Sequence, residues 1–303
     1  MKKLTLFGVA ALAASVLALA GCSSGAPVDD GNVHVVASTD VYGQIAAQIG
    51  GDTVSVKSLI SSPSQDPHEF EPSASDQLAV NRAGLILQNG AGYDAFMTGL
   101  IKASGTKAPV LTAAIYNSAW PGGDPAHAPD GFNEHVWYDP ATMTTFATAT
   151  AEELENLVPN ASAAIKKRLA TFIAETGTLS AELRDIATKH SGEDVFATEP
   201  VPVYMTEAAG LVDVTPTAFS EAVEAGSDVP PATLLSARDI LRSGRVKVVV
   251  VNAQAGGAET TTVIDEAKRL GIPVMSVTET LPRGLTYSDW MQRNVLALAK
   301  ALS

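Results

Sequence analysis

Two histidines and two glutamates stand where this chain could offer them to one metal ion. The stretch Ser64-Gln65-Asp66-Pro67-His68-Glu69-Phe70-Glu71-Pro72-Ser73 sets one imidazole among the carboxylates of Asp66, Glu69 and Glu71. Pro67 and Pro72 remove backbone donors and restrict the residues before them, so the stretch is a stiff loop and not helix interior. Downstream, Phe132-Asn133-Glu134-His135-Val136-Trp137-Tyr138-Asp139-Pro140 places a second imidazole between a polar loop and a Trp-Tyr pair able to pack behind it. Glu199 precedes Pro200 at the end of one apolar run, and Glu279, in Thr278-Glu279-Thr280, follows another. Two imidazoles and two carboxylates are a complete donor set for a divalent transition metal. Each residue also has a plain structural reading. Glu199 fits a solvated loop acid, Glu279 a cap on the last turn, and Asp139 the cap of the helix that starts at Pro140. His127, in a loop rich in Pro, Gly and Asp, reads as a surface histidine. Order along the chain puts the four donors at strand ends, two from each half; only the fold can bring them together.

The elements that must position them alternate. Val33–Ser38 is a β-branched strand, Asp40–Ile49 a helix stopped by Gly50-Gly51, and Val54–Ile60 a second strand. Ala83–Gly90 and Pro109-Val110-Leu111 are further strand candidates, and 119–134 is loop. From Ala141 to about His190 the pattern is helical, with Pro159 and Gly177 as its interruptions, and reads as a shorter helix followed by a long one. Asp194–Thr198 is then a strand, Tyr204–Leu211 helical, Arg245–Asn252 the clearest buried strand, Ala258–Leu270 a helix stopped by Gly271, Ile272–Val277 a strand, and Tyr287–Ala301 the last helix. Such alternation predicts α/β architecture: two lobes, each a mostly parallel sheet flanked by helices, with ligand-bearing loops at the carboxyl ends of the strands. The boundaries expected are 33–140 for the first lobe, 141–192 for a connecting helical segment and 193–303 for the second lobe. The halves share architecture and no visible sequence repeat.

Composition narrows the partners. With 303 residues, 46% hydrophobic and 17% charged, the chain is globular and long enough for two domains. Its net charge of −13 disfavours nucleic acid and anionic lipid and mildly favours cations. Lys2 and Lys3, the uncharged run Leu4–Ala20 and then Leu19-Ala20-Gly21-Cys22 form a leader, residues 1–22, that is short for a spanning helix. Cys22 falls where a bacterial lipobox requires it, with a flexible tether over 23–32, so it is expected to be lipid-modified and to hold a soluble domain outside a membrane. As Cys22 is the only cysteine, the folded part has neither a disulfide nor a thiolate metal site.

From Val33 to the C-terminus the chain resembles the metal-binding lipoproteins of bacterial ABC importers for manganese and zinc. The resemblance is carried most specifically by Asp66-Pro67-His68-Glu69-Phe70-Glu71-Pro72 and by Asn133–Pro140, and more loosely by Val277–Pro282 and Tyr287–Met291. It implies two α/β lobes joined by one long rigid helix, and His68, His135, Glu199 and Glu279 as the four metal ligands. It also implies a permease and an ATPase as partners, a monomeric chain, and an extracytoplasmic, membrane-anchored location. There are two departures. The family's fourth ligand is usually aspartate, one methylene shorter than Glu279. Zinc members often carry a histidine-rich loop before the second ligand, and here that loop offers only His127.

The chemistry leaves the cargo open between zinc and manganese. Two carboxylates beside two imidazoles suit the harder manganese ion, whereas raw affinity of the same donors runs towards zinc. Two other functions use the same residues. A metal-dependent hydrolase would need an open metal position and a base such as Glu69 or Glu71, and the chain has no H-E-x-x-H, G-x-S-x-G or phosphate-loop motif. An adhesin-like surface lipoprotein would keep the fold without the metal.

Overall fold

Both halves of the chain build the same four-stranded sheet. In the computed structural model, which describes residues 31–127 and 129–303, the first half runs β1 (Val33–Thr39), α1 (Asp40–Gly50), β2 (Val54–Ile60), α2 (Ala74–Asn81), β3 (Leu85–Gln88), α3 (Ala95–Ser104) and β4 (Val110–Thr112). Two helices follow, α4 (Pro140–Leu157) and α5 (Ser162–His190). The second half runs β5 (Asp194–Ala197), α6 (Val203–Ala208), β6 (Val212–Asp213), α7 (Thr217–Glu224), α8 (Pro231–Arg242), β7 (Val246–Asn252), α9 (Ala258–Leu270), β8 (Val274–Val277) and α10 (Tyr287–Ala301). The leader, Cys22 and the tether as far as residue 30 lie outside the described residues.

The strand orders are β2-β1-β3-β4 and β6-β5-β7-β8, and every pairing is parallel. In each sheet the order reverses beside its first strand, and a crevice opens there at the carboxyl ends. Parallel strands covered by helices on both faces must be apolar throughout. Val246–Asn252 meets that demand in its valine run Val248–Val251, with six of its seven residues buried and Lys247 exposed.

Pro159 breaks the helical run between α4 and α5, because it can neither donate to the preceding turn nor fit inside a helix. Gly177 does not interrupt it. α5 runs on through that position for 29 residues, about 43 Å at the usual rise, since a glycine inside a helix costs only about 1 kcal/mol. The strands at 83–90 and 109–111 are shorter or shifted by a residue relative to the sequence reading, and the helix expected over 204–211 spans Val203–Ala208.

α5 ties both halves together. Arg168 Nε and Nη2 donate to the carbonyls of Ile49 and Gly50, both at 2.6 Å, and so satisfy the open end of α1. Two turns further along, Glu175 accepts from Gln48 of α1 and from Ser288 of α10. A single apolar cluster fills the space between, from Val35 and Leu85 through Trp137, Phe146 and Phe172 to Val248, Tyr287 and Trp290. Asn32–Ser303 is accordingly one compact unit. No helix among the described residues is long and apolar enough to cross a membrane.

Candidate metal centre

The loops after β2, β4, β5 and β8 meet at the carboxyl ends of the two sheets and enclose a cavity of about 110 Å³. Its lining includes His68, His135, Glu199, Glu224, Gln254 and Glu279. Pockets for organic ligands run to about 300–1,000 Å³, so this one is sized for an ion and a few waters.

Each donor is held by its own local device. The His68 loop is pinned at Asp66, whose Oδ1 accepts from the His68 amide at 2.8 Å, and at its far end by the capping box of Ser73 and Asp76 that starts α2. The exposed His68 ring lies edge-on to Tyr93 at 5.1 Å, and Tyr93 also backs His135 at 5.9 Å and Trp137 at 4.6 Å. His135 is only 1% exposed. Its Nδ1 donates to Asn133 Oδ1 at 2.8 Å, which leaves Nε2 with a free lone pair towards the cavity. Burial, reinforced by the nearby His68, pushes the His135 imidazole down to about 3, so it is neutral, the form that binds metals. Asp139 accepts from the amides of Ala141 and Thr142, the capping role read from the sequence, with Pro140 in the first turn of α4.

The two second-half carboxylates share one donor. Asn252, at the end of β7, sends its Nδ2 to Glu199 Oε2 at 2.7 Å and to Glu279 Oε1 at 2.6 Å. Burial raises the Glu199 carboxyl, with Asn252 opposing it. Burial and the adjacent Glu199 push Glu279 up to about 7. Gln254 fixes the Glu279 backbone, its Oε1 accepting from the amides of Glu279 and Thr280 at 2.6 and 3.0 Å. The same side chain donates across to Pro63 O at 2.9 Å, next to the His68 loop.

His68, His135 and Glu279 have ligand atoms within 4.8 Å of one another. Zinc or a similar ion sits about 2.0–2.2 Å from nitrogen and oxygen donors, so two donors of a tetrahedral shell stand about 3.3–3.6 Å apart. Closure of about an ångström would seat one. Glu199 lines the same cavity, its Oε1 accepting no hydrogen bond among the described residues. His127 takes no part; it pairs with Asp124 at 3.3 Å, with both side chains well exposed.

Sequence reasoning missed Glu134 and Glu224. They form a second group with His68, again within 4.8 Å, and Glu224 Oε1 stands 3.7 Å from His135 Nε2. Glu134 sits inside the most specific motif and was readable as a donor. Glu224 ends a short helix with no motif around it.

Residues 35–301 match the family described as zinc-uptake complex component A, periplasmic. The chain belongs to that family. It is a family of substrate-binding proteins for ABC transporters and not of enzymes, which sets the hydrolase reading aside. Among curated relatives, the manganese ABC transporter substrate-binding lipoprotein PsaA of Streptococcus mitis is 25% identical over 324 residues, spanning 100% of both chains. The manganese-binding lipoprotein MntA of Halalkalibacterium halodurans is 23% identical over 298 residues, 95% of each. A crystal structure of ZnuA shares the fold with a TM-score of 0.71 at 20% identity, covering 90% of this chain and 100% of that one. The laminin binding protein Lmb of Streptococcus agalactiae, described as a bifunctional protein with adhesin and metal transporting activity, gives 0.73 at 21% identity over the same shares.

Proposed function

We propose that this zinc-uptake family member captures one divalent transition metal, zinc or manganese, in the cleft between its halves and delivers it to an ABC importer. The cargo is held by His68, His135, Glu199 and Glu279. The observation that carries the reading is the approach of His68, His135 and Glu279 donor atoms to within 4.8 Å in a cavity of ion size. The neutral His135 supports it by offering a lone pair with no proton to release, and Glu199 Oε1 by offering one that breaks no hydrogen bond. In this reading 33–140 and 193–303 are the two lobes and 141–192 is the connector. The leader is removed, Cys22 carries a lipid that holds the monomer outside the membrane, and a permease and an ATPase receive the metal.

The test is a titration of the full chain, stripped of metal, with manganese and with zinc separately and in competition. One-to-one binding that His68→Ala abolishes is the expected result. If neither metal binds, the capture reading is wrong.

A further inference from the structure

We propose that Glu224 is a fifth cargo donor, and that it tips the site towards manganese over zinc. The inference rests on the capture reading above and names a residue that chooses between its two cargoes.

Glu224 is the last residue of α7, and nothing in its own element explains its carboxylate. The C-terminal end of a helix carries the negative pole of the backbone dipoles and disfavours an acid. No arginine or lysine forms an ion pair with it among the described residues; its recorded partner is His135, and that contact is an ion pair only when the imidazole is protonated. Its Oε1 is shielded from solvent and accepts no hydrogen bond among the described residues. A partly buried carboxylate with one oxygen shielded this way is costly unless a cation meets it.

The surroundings show where that cation would sit. Glu224 Oε1 is 3.7 Å from His135 Nε2, close to the separation of two donors on one bound ion, and its carboxylate also falls within 4.8 Å of a His68 ring nitrogen. Both imidazoles are therefore common to Glu224 and Glu279. A second, independent observation comes from the same cavity. Glu199, 3% exposed and lining the same cavity, likewise leaves Oε1 without a partner. Glu134 reaches His68 too but does not line the cavity, so Glu224 is the better candidate of the two.

Adding Glu224 changes the chemistry of the set from two imidazoles and two carboxylates to two imidazoles and three. Zinc is satisfied by four donors in a tetrahedron, while manganese takes more ligands and prefers oxygen. A further carboxylate therefore adds more to manganese binding than to zinc binding. The same groups would still bind zinc tightly in absolute terms, so the effect belongs in the ratio of the two affinities.

The experiment compares full-chain wild type, Glu224→Gln and Glu224→Asp, each stripped of metal and titrated with manganese and with zinc. Glutamine keeps the volume and removes the charge. Glu224→Gln is expected to lose about tenfold or more in manganese affinity, and markedly less in zinc affinity. Glu224→Asp, which keeps the charge on a shorter arm, should fall between wild type and Glu224→Gln. Cobalt serves as a spectroscopic probe, because its visible bands strengthen as coordination drops towards four. They should be stronger in Glu224→Gln than in wild type, a change that a merely structural role would not produce. Melting of the metal-free variants checks the fold, and Glu224→Gln should melt no lower than wild type because it removes an unpaired, partly buried acid. Parallel losses for the two metals, or no loss for either, overturn the inference while leaving the capture reading standing. A wild type that binds neither metal overturns both.

Discussion

Asn252→Ala removes the shared donor behind the candidate centre and leaves the carboxylates of Glu199 and Glu279 without it. Asn252 is 3% exposed, so no bulk water replaces it readily. A hydrogen bond to a charged group contributes about 1.5–3 kcal/mol, and two are lost here at 2.7 and 2.6 Å. Most of that loss falls equally on the metal-free and loaded protein and does not register in a titration. What registers is the poorer orientation of the two acids, and groups that orient metal ligands are worth about 10–100-fold in affinity, about 1.4–2.7 kcal/mol. A second contribution has a sign of its own. The Asn252 hydrogen bond works against the burial that holds Glu279 at about 7, so its removal sends that carboxyl higher and a proton competes harder with the metal. The deficit should therefore be largest at pH 7 and shrink towards pH 9, without vanishing. Competition against a chelator at both pH values, with thermal melting to verify the fold, measures it. Affinity within about threefold of wild type at both pH values would refute the idea that Asn252 orients the acids.

Two further outcomes follow from neighbouring groups. Gln254→Ala cuts the bond to Pro63 O and the support under Glu279; neutral hydrogen bonds contribute about 0.5–1.5 kcal/mol each, so metal should leave about 3–10-fold faster in stopped-flow release into chelator, and an unchanged rate would argue that neither bond helps to hold the metal. Burial raises Asp40 to about 6, Glu279 to about 7 and Glu224, beside other acids, to about 8, so the stability these groups contribute to the metal-free protein is full below the ordinary carboxylate range and is lost as pH climbs through 6 to 8. His135, depressed to about 3, runs the other way: its contribution is present above about pH 6.5 and lost as pH falls through 3. Three groups outweigh one between pH 5 and 8, so the metal-free melting temperature should fall over that range while metal affinity rises with proton release. A metal-free melting temperature that rises from pH 6 to 8 would contradict the assignment.

Much of this structure is legible in the sequence, for reasons that differ by residue. Val246–Asn252 announces a buried parallel strand because Val248–Val251 are four consecutive valines, apolar on both faces. Pro159 and Asp139-Pro140 set helix ends by covalent geometry and capping, which need no tertiary information. His68 is readable because two prolines bracket it. Glu224 is not, because its importance comes only from the order β6-β5-β7-β8, which swings the end of α7 against His135; an eight-residue helix carries no trace of that neighbour. Asn252 was read as the last residue of a strand, and its role depends on two loops 53 and 27 positions away in sequence. No helix is read from the sequence at α2, α3 or α7, where two or three turns carry too little periodicity to separate helix from loop; α8, at 12 residues, is missed for no reason of length.

The same packing constrains how a bound ion could leave. Swinging the halves apart would open the apolar cluster that runs from Val35 to Trp290, and each 400 Å² of apolar surface exposed costs about 10 kcal/mol. It would also break the bonds from Tyr138 to Thr278 O at 2.7 Å and from Tyr287 to Trp137 O at 2.8 Å. The loop bearing His68 faces no such cost. Its histidine is exposed where His135 is buried, and Gln254 is its recorded hydrogen bond to the second half. Release is therefore expected to begin with His68 moving outward while His135, Glu199 and α5 stay in place. Hydrogen exchange of the full chain with and without metal reads this directly: slowing on loading should concentrate in residues 61–72 and 278–286, with α5 unchanged. Faster exchange along α5 in the metal-free chain would mean that the halves themselves separate, and the apolar cluster would then have to be far less cohesive than its burial implies.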